Sequence, residues 1–192
     1  MSRRAFLVTG LLACMPLLHG CLGAVAVGAG ATALVAEDRR TTGIYFEDQN
    51  IELKATKAIS DKYGKNDKIN TSVTSFNRYV LIVGQVPNEE LKQQIGVTVL
   101  GIENVRNVQN DLAIGPPASF SQHTSDTYIT SKVKTQFVTQ NKFQANYVKV
   151  VTEDDVVYLM GLVTKKEAED AAEIARSVGG VKKVVKVFEY ME

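Results

Sequence analysis

The chain has 192 residues, 45% of them hydrophobic and 22% charged, with a formal net charge of +1. That length accommodates one ordinary domain or two small ones, and folds of about 70 residues each would have thin cores. Beyond Arg3 and Arg4 there remain 20 basic against 21 acidic residues. This balance excludes a general attraction to nucleic acid, so any affinity for anions must come from a local patch.

Histidine and cysteine are confined to His19, His123, Cys14 and Cys21. Such scarcity removes most routes to a zinc site, a Cys/His nucleophile or a disulfide framework. Neither G-x-S-x-G nor a P-loop occurs. The sequence therefore reads as non-enzymatic, with no catalytic residue, no metal and no cofactor expected.

Arg3 and Arg4 precede an apolar stretch from Ala5 to Leu18, the pattern of a secretory signal peptide. Leu18-His19-Gly20-Cys21 then resembles the lipobox of bacterial lipoproteins, in which the Cys is acylated and becomes the new N-terminus. Acyl chains contribute about 0.8 kcal/mol per buried CH₂, enough for a stable anchor when several are attached. Leu11-Leu12-Ala13-Cys14 fits the same pattern but leaves an apolar core of only nine residues, so Cys21 is the expected lipid attachment site. An uncleaved span from Ala5 to Ala36 is disfavoured by Pro16, His19 and the Gly/Ala-rich second half. Ser2 to Leu7 looks like a twin-arginine signal, yet nothing here needs export in a folded, cofactor-bearing form. Leu22 comes directly after the candidate Cys. In the lipoprotein family an Asp there tends to retain the protein at the inner membrane, so the resemblance implies an outer-membrane, lipid-anchored, periplasm-facing protein.

Residues 1–20 thus read as a lipoprotein signal peptide and 21–45 as an acylated small-residue tether. The string Gly28-Ala29-Gly30-Ala31-Thr32-Ala33 matches G-x-G-x-x-A. A dinucleotide site would need a strand before it and an amphipathic helix after it. The next residues are instead the charged run Glu37-Asp38-Arg39-Arg40, so the string is assigned to the tether.

The remainder is a repeat. Asp48-Gln49-Asn50-Ile51 and Asp126-Thr127-Tyr128-Ile129 each open a helical pattern, with Ile51, Ala55 and Ile59 matching Ile129, Val133 and Phe137 on one face. Asp48 and Asp126 are expected as N-caps. Paired strand runs come next, 69–76 with 79–86 and 147–152 with 156–163, turning at Asn77-Arg78 and Asp154-Asp155. Gly84 and Gly161 in the second strands predict a bulge or a close backbone approach. Second helices are expected over 88–100 and 165–178, and last strands over 102–114 and 181–190. The expected domains are 46–115 and 124–192, joined by a linker over 116–123 that ends at His123.

The string Gly161-Leu162-Val163, Glu167, Ala171, Ile174-Ala175 and Gly180-Val181-Lys182-Lys183-Val184 resembles the signature of the BON domain. The first copy matches less closely through Gly84-Gln85-Val86, Glu90, Ile95 and Gly101-Ile102-Glu103-Asn104-Val105. The resemblance implies an α+β fold of two tandem BON domains. Each would run helix-strand-strand-helix-strand, with a three-stranded mixed sheet packed on two helices. The whole chain is similar to the dual-BON outer-membrane lipoproteins of Gram-negative bacteria. That similarity implies a role in outer-membrane integrity at the division site and binding of anionic phospholipid through the second BON domain. It also implies links to the outer-membrane protein assembly machinery. Oligomeric state is left open.

The residues themselves suggest where a lipid would bind. From Thr127 to Phe143 there are Lys132, Lys134 and Lys142 and no acid, whereas the matching first helix mixes Glu52 and Asp61 with its lysines. Tyr128 and Lys132 fall together on the outer side, with Thr135 one turn on. An aromatic beside a Lys suits a headgroup region, where each near-surface basic residue contributes about 1 kcal/mol. The expected phospholipid-binding residues are Tyr128, Ile129, Lys132, Thr135 and Gln136. The competing reading is an ordinary solvated lysine face with Tyr128 packed on the linker. A protein-interaction module using exposed strand edges is the alternative function.

Overall fold

The computed structural model describes residues 38–64 and 67–192. Cys14, Cys21, the signal peptide and the Gly28–Ala33 string lie outside the described residues. Each copy places an amphipathic helix first: α1 is Thr42–Tyr63, followed by strands β1 (Asn70–Phe76) and β2 (Tyr79–Val86) and helix α2 (Glu89–Leu100). Two short strands, β3 (Asn107–Asn110) and β4 (Ala113–Ile114), close the first copy. The second copy comprises α3 (Phe120–Gln140), a short 3₁₀ turn, β5 (Val148–Glu153), β6 (Val156–Val163), α4 (Lys165–Ser177) and β7 (Lys183–Tyr190). The architecture is α+β, with each sheet mixed. The first strand pair is antiparallel and the last strand runs parallel to the central one.

Both first helices begin earlier than the apolar periodicity suggests. Thr41 caps α1 by accepting from the Ile44 N–H, and Ser119 caps α3 by accepting from Gln122. Residues 42–45 are therefore helical rather than tether, and Phe120 to His123 belong to α3 rather than to the linker. Asp48 and Asp126 are not N-caps: each is buried within its helix. Asp48 accepts from the backbone N–H groups of Asn77 (2.8 Å) and Arg78 (2.7 Å). Asp126 accepts from those of Asp154 (3.1 Å) and Asp155 (2.9 Å). Those four residues have φ between 50° and 66°, as a two-residue left-handed hairpin turn requires. A carboxylate from the helix thus satisfies the exposed donors of the turn, and the same device recurs in both copies.

Gly84 and Gly161 pack where no Cβ fits, Gly84 against the Asn70 carbonyl oxygen and Gly161 against that of Tyr147. Gly84 also takes φ +121°. Opposite this bend the last strand of the first copy breaks into β3 and β4 around Asp111 and Leu112, while keeping one register with β2. In the second copy Gly161 keeps an ordinary φ and β7 pairs with β6 without interruption.

Alternate residues of the central strands point to different cores. Val80, Ile82 and Val86 pack with Ile51, Ala55, Ile95 and Val99 of the helices. Val157, Leu159 and Val163 do the same with Ile129, Val133, Phe137 and the alanines of α4. Leu81 and Val83 face the other way and meet Phe76, Tyr158 and Met160 in a third cluster. The two sheets therefore pack on each other, with helices outside, and β2 is buried at every position from Val80 to Val86. Continuous apolar runs in central strands have this cause: both faces are covered.

The residues before α1 join this body. Arg40 pairs with Asp48 (2.9 Å) and Asp38 (2.8 Å) and lies 4.0 Å from the Phe76 ring centroid, on the first domain. Its neighbour Arg39 turns to the second domain, where it pairs with Glu167 and stacks 3.6 Å from the Tyr147 ring centroid.

Candidate functional site

α3 buries Ile129, Val133 and Phe137 at helical spacing, which turns Tyr128, Lys132 and Thr135 outward. Tyr128 is 64% exposed. The Lys132 ammonium sits 5.1 Å from the centroid of its ring and donates to the Gly179 carbonyl oxygen at 3.2 Å. That carbonyl lies just past the C-terminus of α4, where the helix dipole favours a cation, so Lys132 is held in place at low cost.

Tyr128, Lys132, Thr135 and Gln136 line one groove of about 470 Å³ between α3 and the end of α4, with Ser177, Val178 and Gly179 forming its other wall. Ile129 does not line it. It is 2% exposed and packs beneath, with its side chain 3.2 Å from where a Cβ on Gly180 would stand. Ile129 can thus feel a ligand through the backbone of α3 but presents no side chain to one. Ser177 to Gly179 are not legible from sequence as site residues, because nothing local links them to a helix some 47 positions earlier. The Gly179-Gly180 pair is the available signal. A Cβ on Gly179 would stand 3.8 Å from the Lys132 nitrogen, and the bare glycine keeps the groove open.

The three lysines of the patch differ. Lys142 is drawn to Glu173 (3.5 Å) and Asp170 (3.8 Å) of α4. Lys134 is exposed and, among the described residues, has no ion pair. The one acid of α3, Asp126, is buried against its hairpin turn, so the exposed face of this helix carries no negative side chain. Phe120 (88% exposed) and Val138 (68%) extend its apolar content toward both ends. In the first copy the place of Tyr128 is taken by Asn50, and that of Lys132 by Lys54, which lies 3.5 Å from Glu103. His123 is exposed on the first turns of α3.

No cluster among the described residues has the His, Cys, Asp and Glu content to hold a metal ion. No helix among them is long and apolar enough to cross a membrane.

A doubled helix-strand-strand-helix-strand unit with this mixed sheet defines the class: the chain belongs to the BON-domain family, which it matches over residues 47–116 and 125–192. It is 37% identical over 182 residues to the outer membrane lipoprotein DolP of Haemophilus influenzae (strain ATCC 51907 / DSM 11121 / KW20 / Rd), covering 95% of this chain and 94% of that protein. A 21 kDa hemolysin of Actinobacillus pleuropneumoniae is 30% identical over 155 residues, covering 81% and 80% of the two chains. The osmotically-inducible protein Y of Escherichia coli (strain K12) is 29% identical over 145 residues, or 74% of this chain and 72% of that one. Among solved structures, the C-terminal domain of CdsD from the type III secretion system of Chlamydia trachomatis aligns with a TM-score of 0.31 at 11% identity, over 71% of this chain and 96% of that one. The protein is a dual-BON lipoprotein of the outer membrane.

Proposed function

We propose that this lipoprotein is non-enzymatic and binds anionic phospholipid through α3 of its second BON domain, supporting outer-membrane integrity at the division site. One observation carries the reading. Tyr128 stands exposed with the Lys132 ammonium against its ring, above a groove, on a helix whose outward face has no acid. The ring suits the headgroup region and the ammonium suits a phosphate. Two or three basic residues bind weakly alone. Joined to an acyl anchor at Cys21 they gain the effective concentration of an intramolecular contact. The segment just before α1 is compatible with this, since Arg40 lines a common cleft with Lys134 and Val138 of α3.

The test is a titration with liposomes of phosphatidylglycerol or cardiolipin, read by backbone amide signals. The expected result is perturbation at Tyr128, Ile129, Lys132, Thr135 and Gln136, lost in Tyr128→Ala and Lys132→Glu. Perturbation spread evenly over both domains, or unaffected by the two substitutions, refutes the assignment.

A second reading is a periplasmic interaction module docking on the outer-membrane protein assembly machinery. It is favoured by Phe46, Leu53, Val97 and Leu100, apolar and exposed on the helices of the first domain. Photo-crosslinking from Leu53 that traps a protein partner, with no lipid-dependent shift on α3, would favour it over lipid binding.

A further inference from the structure

We infer that Gln85, Glu153 and Asp154 form a proton-sensitive latch between the two domains, one that holds more firmly when the carboxylate pair takes up a proton. Gln85 lies near the end of β2 and is 3% exposed. Its amide oxygen accepts from the Asn70 side chain of β1 and from the Ala118 N–H of the linker, each at 2.9 Å. Its amide nitrogen donates across the seam to Glu153 at 2.7 Å and to Asp154 at 2.8 Å. A glutamine amide has two N–H donors and two lone pairs, so these four contacts saturate it. Two carboxylates of the second domain therefore converge on one neutral group of the first.

Both carboxylates share one nitrogen, so their bonded oxygens are no farther apart than the summed contacts, 5.5 Å. Among the described residues neither has a cation within ion-pair distance, whereas Glu189, a second-domain acid elsewhere on the seam, meets Arg106 at 3.2 Å. The turn itself does not demand this charge. Phe76-Asn77-Arg78 builds the matching first-copy turn with the same left-handed backbone and no acid, where the second copy has Glu153-Asp154-Asp155.

The groups around Glu153 leave its charge uncompensated. Asp154 and Asp155 belong to its own turn, and Asp155 is paired with Lys182, just before β7, at 2.8 Å. Asp126 and His123 face it from α3. Asp111 approaches from the first domain, where it accepts from the Tyr158 hydroxyl. Burial holds the Glu153 carboxyl above its ordinary 4.5; the Gln85 N–H and His123 oppose this, and Asp154 and Asp126 reinforce it.

Opening the seam returns Glu153 to water and to an ordinary carboxylate. The closed latch thus binds a proton more tightly than the open one, and acid favours closure. The gain begins as pH falls through the raised value and is complete below 4.5, where both states are protonated. The apolar layer of Leu81, Val83, Tyr158 and Met160 joins the sheets independently of this charge, so the latch governs how often one end of the seam opens. None of this depends on lipid binding.

The test uses the full acylated chain in nanodiscs of uncharged phosphatidylcholine. It follows hydrogen exchange at the Ala118 amide, whose acceptor is Gln85 itself, and the NMR signals of the Gln85 side-chain amide. Rates are taken relative to intrinsic exchange at each pH. Ala118 protection is expected to be about fivefold higher near pH 4.5 than near pH 7.5, with the Gln85 signals moving over the same range. Glu153→Gln and Asp154→Asn should each reach the acid level of protection at neutral pH and lose most of the pH response. Protection that stays flat or falls in acid overturns the latch, as does a response that both substitutions leave intact. A response lost in His123→Ala but kept in Glu153→Gln assigns the proton to the histidine and also overturns it. Unchanged amide signals in the core of each domain establish that the variants remain folded.

Discussion

Arg39 and Glu167 lie 128 positions apart in the chain and meet through two N–H···O contacts of 2.8 Å each. Glu167 is at the same time the third residue of α4, where it completes a capping box with Thr164. One carboxylate therefore starts a helix of the second domain and holds a residue that precedes the first helix of the first domain.

Removing that partner should loosen the body as a whole. Arg39→Ala is expected to lower unfolding free energy by about 1–3 kcal/mol, because a bidentate pair and a ring contact are lost together. Arg39→Lys should recover only part of it, since a point charge cannot match the fork. Urea unfolding measures both, and an Arg39→Ala protein as stable as the parent would show that the clasp is idle.

The buried aspartates should matter more than their surface-like residue type suggests. Asp126→Ala leaves two turn N–H groups without acceptors, at a cost of about 2–3 kcal/mol. Asp48→Ala should cost more, since it also removes one of the two carboxylates that hold Arg40 and the acceptor of the Ser75 hydroxyl. Equal losses in the two variants would mean that the extra partners contribute nothing.

Acid should reveal the clasp through Glu167. Its hydrogen bonds from Arg39 hold its carboxyl at about 2, below the ordinary 4.5. A depressed carboxylate stabilises the fold above its unfolded pKa and loses that stabilisation as pH falls toward the folded value. The stability gap between the parent and Glu167→Gln should therefore be constant at neutral pH and close between about pH 4.5 and 2. Glu153 is the opposite case, because burial pushes its carboxyl up. Glu153→Gln should stabilise at neutral pH, with the gain vanishing once both side chains are uncharged in acid. Melting temperatures across the pH range would test both signs.

Gly84 and Gly161 occupy matching positions but should not respond alike. Alanine at Gly84 meets both a backbone oxygen and a φ of +121°, so a loss above about 2 kcal/mol is expected. Alanine at Gly161 meets the oxygen alone and should cost less. Thermal unfolding of the two variants decides, and the reverse order would contradict the role assigned to the bend at Gly84.

Most of the fold is legible in the sequence because its signals are local. Ile51, Ala55 and Ile59 repeat at helical spacing, Asn77-Arg78 and Asp154-Asp155 are turn pairs, and the same order occurs twice. The helix starts are not, because Asp48 and Asp126 mimic caps; their real partners are turns more than 25 positions later, and that contact leaves no local trace. The packing of sheet on sheet has a signal, the unbroken apolar run from Val80 to Val83, which alternation-based reading passes over. At the candidate site, Tyr128, Lys132, Thr135 and Gln136 share one helix face, and spacing alone brings them together. Their opposing wall, Ser177 to Gly179, depends on how α4 packs. Ile129 sits beside them in sequence, but its own periodicity turns it inward.

The shared layer formed by Leu81, Val83, Tyr158 and Met160 limits how such a duplication can change over evolutionary time. Neither copy retains a water-ready back, so a chimera that exchanges one half for a foreign homologue must inherit the matching inner face as well. Bulk gained on one side has to be surrendered on the other, and the two halves are therefore bound to drift as a pair.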